Sequence, residues 1–178
     1  MFTICTFIII VPVNFLHTIQ SPDFTQYMGV ERSDIRIDLQ QSSHATQTFN
    51  EMVAYIEKDP DVQTYSPFIS SQFKVVNDDG VEESMIVESG DFSLFPLEYL
   101  KGYAPRNDGE IALSYLNGKE LQKQIGDRLL IFIDGKEKEM VVSGIYQDIT
   151  NGGRTAKALL MNENTLLSYK LSIDFNLV

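Results

Sequence analysis

The sequence predicts an α+β fold with two lobes, a strand–helix–strand lobe and a small β-rich lobe inserted into it, preceded by a transmembrane helix. Three observations point there. The first 19 residues carry no charge. Residues 34–70 read as strand, helix and strand, and the stretch from about 73 to 146 holds two hairpin signals between short alternating runs.

The opening run, "MFTICTFIIIVPVNFLHTI", approaches the roughly 20 apolar residues that span a bilayer as a helix. Pro12, Asn14 and His17 interrupt it, and every Lys, Arg, Asp and Glu lies from Asp23 onward. A cleaved signal peptide would need a basic start and a small-residue cleavage site, and neither is visible. A buried core helix would need a polar face, which Ile8-Ile9-Ile10-Val11 denies it. The expectation is the end of a transmembrane helix whose basic cytoplasmic flank lies upstream, with Asn14 and His17 near the headgroup boundary. Cys5, the one cysteine, has no partner for an internal disulfide and reads as a small hydrophobe.

Ser21-Pro22 stops this helix. "DIRIDLQ" (34–40) sets Ile35, Ile37 and Leu39 against Arg36 and Asp38, the period-two pattern of a half-buried strand. Phe49, Met52, Val53 and Ile56 then recur at helical spacing. Either Ser43 or a capping box formed by Thr48 and Glu51 starts that helix, and Pro60 closes it. "DVQTYSPFIS" (61–70) is the next strand.

Beyond it, "FKVV" and "ESMIVES" flank Asn77-Asp78-Asp79-Gly80, residues that tolerate positive φ, so a hairpin is predicted. Residues 90–110 are irregular. "IALSYLNGKELQKQIGD" predicts a short strand and then a helix from about Ser114 to Gly126. "RLLIFI" and "KEKEMVVSGIY" form a second hairpin about Asp134-Gly135. "KALLM" reads as a strand, "NENTLLSY" as a capped turn of helix, and "KLSIDFNLV" as a final alternating strand.

Composition narrows the function classes. A net charge of −11 over 178 residues argues against nucleic acid as a partner, because binding a phosphate backbone needs clustered Lys and Arg. Asn151-Gly152-Gly153-Arg154-Thr155 has neither Walker nor dinucleotide spacing and is followed by a strand rather than a helix, so it reads as a turn. The two histidines, His17 and His44, lie far apart, and no three-ligand metal cluster is visible around His44, Asp38 or Glu51. The acidic tip at Asp78-Asp79 and Glu82-Glu83 lacks EF-hand spacing. No nucleophile elbow is present, so neither a catalytic residue nor a cofactor is expected in this chain. Phe92, Phe95, Tyr99 and Tyr103 fall in the irregular segment. They either pack that segment onto the β lobe or form a partner-contact patch, since aromatics dominate binding hot spots.

The order of these elements resembles the extracytoplasmic domain of FtsX/MacB-type ABC transporter permeases, the large loop between the first and second transmembrane helices. The resemblance rests on Gly109-Glu110-Ile111-Ala112-Leu113, on Ile125-Gly126-Asp127 before a strand, and on Val142-Ser143-Gly144-Ile145-Tyr146. "NGGRTAKAL" is similar to the loop in Gram-positive members. The resemblance implies a transmembrane helix at 1–19, a membrane-proximal lobe of 24–66 plus 156–178, and an inserted β-rich lobe of 67–155. It also implies a location at the cell membrane with the soluble part outside, and a permease dimer. ATP would be hydrolysed by a separate ATPase subunit, and the domain would engage an extracellular protein, peptide or lipid substrate. The chain has one hydrophobic segment where a complete permease has several, which reads as a fragment. Two other readings are a single-pass membrane-anchored extracellular binding or adhesion domain and an anchored secreted hydrolase.

Overall fold

The computed structural model describes residues 2–77, 80–159 and 166–176, with backbone alone for 2–6 and 22. The apolar run is helical as α1 (Phe2–Gln20). From Phe7 onward its large side chains lie in the open, Phe7 at 67% and Phe15 at 68% exposure. Among the described residues no helix is long and apolar enough to cross a membrane. The predicted transmembrane helix is therefore seen as an exposed apolar helix, diluted by Pro12, Asn14 and His17. The side chain of Cys5 lies outside the described residues.

Ser21, extended at φ −64° and ψ 132°, ends α1, and Pro22 opens a short helix, α2 (Pro22–Tyr27), where its missing N–H costs nothing. Then come β1 (Ile35–Gln40), α3 (Ala45–Ile56), β2 (Val62–Val76), β3 (Glu82–Gly90), β4 (Tyr99–Gly102), β5 (Glu110–Ser114), α4 (Tyr115–Glu120), β6 (Arg128–Ile133), β7 (Lys136–Tyr146), β8 (Thr155–Ala158) and β9 (Leu166–Phe175).

Several boundaries differ from those expected. "DVQTYSPFIS" and "FKVV" are one 15-residue strand, β2. The helix after β1 begins at Ala45, nearer Ser43 than the Thr48 box. The predicted helix from Ser114 to Gly126 stops at Glu120: Gly118 is a weak helix former, and Gln122 turns to φ 55°. The Ser114 hydroxyl does cap it, accepting from the Asn117 amide at 3.1 Å. Leu166–Tyr169, expected in a helical turn, is strand, because it pairs with β1 and β2. Asn162–Thr165, Leu160 and Met161, the hairpin tip at Asp78-Asp79, and Leu177-Val178 lie outside the described residues.

Two cores share β2. Around the first, the strands close on themselves: β2 pairs β3, then β8, β5, β7 and β6 follow, and β6 returns to β2. This six-stranded ring is mixed, with β3–β8 and β5–β7 parallel. Each strand sends two alternate side chains inward: Phe73 and Val75, Met85 and Val87, Ile111 and Leu113, Leu129 and Ile131, Met140 and Val142, Ala156 and Ala158. Period-two patterning thus fills a small barrel and removes most free edges. The hairpin from β6 to β7 turns at Asp134 (φ 50°) and Gly135 (φ 74°), the paired left-handed residues that a two-residue turn requires.

In the second core α3 lies on the antiparallel trio β1–β9–β2. Ala45, Phe49 and Ile56 meet Ile69, Tyr169, Leu171 and Ile173, and Phe49 stacks on Tyr169 at 4.4 Å between ring centroids. The alternation that turns Ile35, Ile37, Leu171 and Ile173 toward α3 turns Arg36, Asp38, Lys170 and Ser172 to the opposite face.

Candidate functional site: a buried ionic joint

That opposite face is where the chemistry-bearing side chains gather. Lys170 on β9 stands beside Asp38 in register, and Glu88 on β3 stands beside Lys157 on β8. A charged sheet face of this kind belongs in water. Here the connector between α2 and β1 covers it. Gly29 makes the close approach possible: a Cβ there would lie 2.3 Å from the Gln147 carbonyl oxygen, and its φ of 80° suits glycine alone. The Ile149 amide donates to the Met28 carbonyl at 3.1 Å, and Gln26 donates to the Pro96 carbonyl at 3.1 Å.

From this connector Glu31 reaches inward and completes a chain of alternating charges. Arg36 Nη1 lies 3.3 Å from Glu31 Oε2, and Glu31 Oε1 accepts from Lys157 Nζ at 3.0 Å. Lys157 Nζ also donates to Glu88 Oε1 at 2.5 Å, and Glu88 Oε2 accepts from Lys170 Nζ. Glu31, Glu88 and Lys157 are each less than 5% exposed. Withdrawing these ions from water costs several kcal/mol apiece, and mutual pairing offsets it.

The protonation equilibria follow that logic. Burial pushes the Glu31 carboxyl up, but Lys157 and Arg36 outweigh it and hold Glu31 below the usual carboxylate range. Burial disfavours the Lys157 ammonium, yet Glu31, Tyr146 and Asp148 raise it above an ordinary lysine. Burial, and then Arg36, pull Lys170 down to about 8 against Glu31 and Asp38.

A polar relay adjoins the chain. Tyr146 donates to Thr155 Oγ1 at 2.6 Å, Thr155 donates to Asp148, and Asp148 also accepts from the Thr150 amide at 2.7 Å. Tyr99 meets Tyr146 edge-on at 6.0 Å, and its hydroxyl is buried without a hydrogen-bond partner among the described residues, so burial pushes it up to about 12. Most charges and donors of this set are matched to one another. It pins four sheet strands to the connector between α2 and β1.

The residues expected at a site are distributed differently. Phe92 and Phe95 are buried at 2% and 1% exposure, so they pack rather than contact a partner. Phe92 lies 5.1 Å from Phe68 and 5.3 Å from Lys157 Nζ, which makes it part of the apolar wall around the ionic chain. Tyr99 is half-buried, and Tyr103 is open to solvent with the Arg106 guanidinium 4.2 Å over its ring. The four do not form one surface patch. The Asn151-Gly152-Gly153 loop is a turn that enters β8, and Arg154 beside it forks onto Glu120 at 2.6 and 2.9 Å. His44 is exposed, and among the described residues no three His, Cys, Asp or Glu side chains converge on a metal position. Glu31, Glu88, Lys157 and Lys170 escaped the sequence reading. Only Lys157 carries a signal, a lone charge inside the otherwise uncharged strand "TAKA".

No family model matches the chain, and no curated protein matches it. Solved structures do. A domain assigned to a permease protein from Porphyromonas gingivalis superposes with a TM-score of 0.52 at 13% identity, over 70% of this chain and 66% of that one. The extracellular domain of the noncanonical ABC-type transporter YknZ from Gram-positive bacteria gives 0.54 at 10% identity, over 80% and 84%. The periplasmic region of MacB from Actinobacillus actinomycetemcomitans gives 0.51 at 12% identity, over 80% and 76%. The chain therefore shares the fold of extracytoplasmic domains of MacB/YknZ-type ABC transporter permeases.

Proposed function

We propose that the chain is the extracytoplasmic domain of an ABC transporter permease, and that the ionic joint carries ATP-driven motion from the membrane helix into the sheet. The observation that carries this reading is the burial of Glu31. It belongs to the connector after α1 and α2, yet it is bound to Lys157 in β8 and to Arg36 in β1. A displacement of the connector must therefore either move those strands or break a buried ion pair, and the second is costly. The shared fold and the exposed apolar α1 support the same reading.

In this reading residues 1–19 are the end of the first transmembrane helix, and the protein sits in the cell membrane with its soluble part outside. Residues 24–66 plus 156–178 form the lobe nearer the membrane, with β8 lent to the barrel, and residues 67–155 form the outer lobe. ATP is hydrolysed by a separate ATPase subunit, two permease copies work together, and the outer lobe engages an extracellular protein, peptide or lipid.

The test is made in cells carrying Lys136→Cys, at the exposed tip of the β6–β7 hairpin. A membrane-impermeant maleimide should label the variant in intact cells. The detergent-extracted protein should co-purify with a subunit bearing G-x-x-x-x-G-K-[ST]. Labelling only after lysis contradicts the location. Surface labelling without an ATPase favours an anchored binding or adhesion domain instead.

A further inference from the structure

β1 stands at one end of the strand order, paired with β9 on one side, and among the described residues no strand pairs its other edge. The phase of the β1–β9 pairing decides which groups that edge offers. The Gln41 amide donates to the Leu167 carbonyl at 3.1 Å, one step beyond the Gln40–Ser168 pair, so 41 and 167 are a hydrogen-bonded pair. Such pairs alternate along an antiparallel ladder. Ile35, Ile37 and Leu39 therefore turn their N–H and C=O groups toward β9, and Arg36, Asp38 and Gln40 turn theirs toward the open edge.

This edge is complementary to itself. Two copies of β1 can meet antiparallel about a two-fold axis, and the outward groups bond only where even-numbered residues stand opposite one another. The register centred on Ile37 sets Arg36 opposite Asp38 of the second copy, on both sides of the axis, and Ile35 opposite Leu39. A slip of two residues either way sets Asp38 against Asp38 or Arg36 against Arg36, and like charges directly opposite repel. The charges that guard this edge against stray strands thus select one register with the chain's own copy.

The apolar face continues the match. Ile35 and Ile37 line a groove of about 460 Å³ with Met52, Tyr55 and Phe175, and Ile35 is 45% and Tyr55 71% exposed. A two-fold axis normal to the sheet keeps each face on its own side. Both α3 helices then lie on one face of the joined sheet and both α2–β1 connectors on the other, so the two chains enter from the same side, as tethering in one membrane requires. We propose that two copies of this chain join edge to edge through β1, making one continuous sheet about a two-fold axis at Ile37. The inference rests on the proposed function only in calling the pair a permease dimer. A monomer that still co-purifies with the ATPase subunit would overturn the pairing and leave the permease reading standing.

The test uses the full chain in cell membranes, with Cys5→Ser as background and copper phenanthroline as mild oxidant. Opposite residues of a non-hydrogen-bonded pair stand about 4.5 Å apart at Cα, within disulfide reach. Ile37→Cys should therefore give a disulfide-linked dimer. Ile35→Cys alone should not, because its two copies lie four residues of strand, roughly 13 Å, apart; co-expressed with Leu39→Cys it should. Asp38→Arg, at an exposed position, sets arginine opposite arginine and should lower the cross-linked fraction of Ile37→Cys on the order of tenfold. The cysteine series decides the register whether or not Asp38→Arg folds. Absence of the Ile37→Cys dimer, equal cross-linking of Ile35→Cys alone, or a cross-linked fraction unchanged in folded Asp38→Arg would overturn the proposal. So would Ile37→Cys linked only to a different protein, which would make the edge a site for another partner.

Discussion

Lys157 Nζ lies 3.0 Å from Glu31 Oε1 across 126 residues of chain, and both side chains are withdrawn from water. One end of this contact is in the connector between α2 and β1, and the other is in the barrel wall. Removing one partner leaves an uncompensated buried charge. Glu31→Gln and Lys157→Met are each expected to cost about 3–5 kcal/mol, and the double variant much less than their sum. Urea denaturation of the four proteins in a double-mutant cycle measures this; additive losses would show that the pair is not coupled.

Acid should dissolve the same contact. The folded carboxyl of Glu31 is held below the 4.5 of an ordinary glutamate, so its contribution is full above that value and is lost as pH falls through the folded one. Lys157, raised above 10.5, contributes fully below 10.5 and loses its contribution as pH climbs through its folded value. Stability measured from pH 7 downward should fall less steeply in Glu31→Gln than in the parent.

Lys170 runs the other way. Its folded value of about 8 lies below 10.5, so between those limits the unfolded chain binds more protons and stability rises with pH. Lys170→Met should remove this alkaline rise, read as the slope of denaturation midpoint against pH.

Tyr99→Phe removes a buried hydroxyl that has no hydrogen-bond partner among the described residues, and its ring stays against Tyr146. The change should be neutral or stabilising by up to about 1 kcal/mol, measured as a shift in melting temperature.

Gly29→Ala places a methyl 2.3 Å from the Gln147 carbonyl oxygen at a φ of 80°. It should loosen the connector from the sheet, costing about 2 kcal/mol or more. Hydrogen exchange at residues 28–31 and 147–149 should rise together.

The pattern-bearing elements were legible in the sequence. Ile35, Ile37 and Leu39 announced β1, Phe49 through Ile56 announced α3, and Asp134-Gly135 announced a hairpin that the structure contains. These depend on local periodicity and turn chemistry. The ring closure was not legible, because pairing β6 with β2 and β8 with both β3 and β5 is a matter of long-range register. The ionic joint was hidden for the same reason: Glu31, Glu88, Lys157 and Lys170 come from four distant segments, and each alone looks like a solvated surface charge. The aromatic segment misled in part, since Phe92 and Phe95 sit in irregular backbone yet are core. Irregular backbone does not mean exposed side chains.

The proposed coupling makes Glu31 the contact through which α1 and the sheet move together. Spin labels at Asp23→Cys and Lys136→Cys, with Cys5→Ser to remove the native thiol, report the distance across the joint. The measurement is pulsed electron resonance on the membrane-reconstituted complex with its ATPase, with and without a non-hydrolysable ATP analogue. The account predicts a nucleotide-dependent shift in that distance, lost in Glu31→Gln while ATP is still hydrolysed. An unchanged distance, or a shift that survives Glu31→Gln intact, would contradict it.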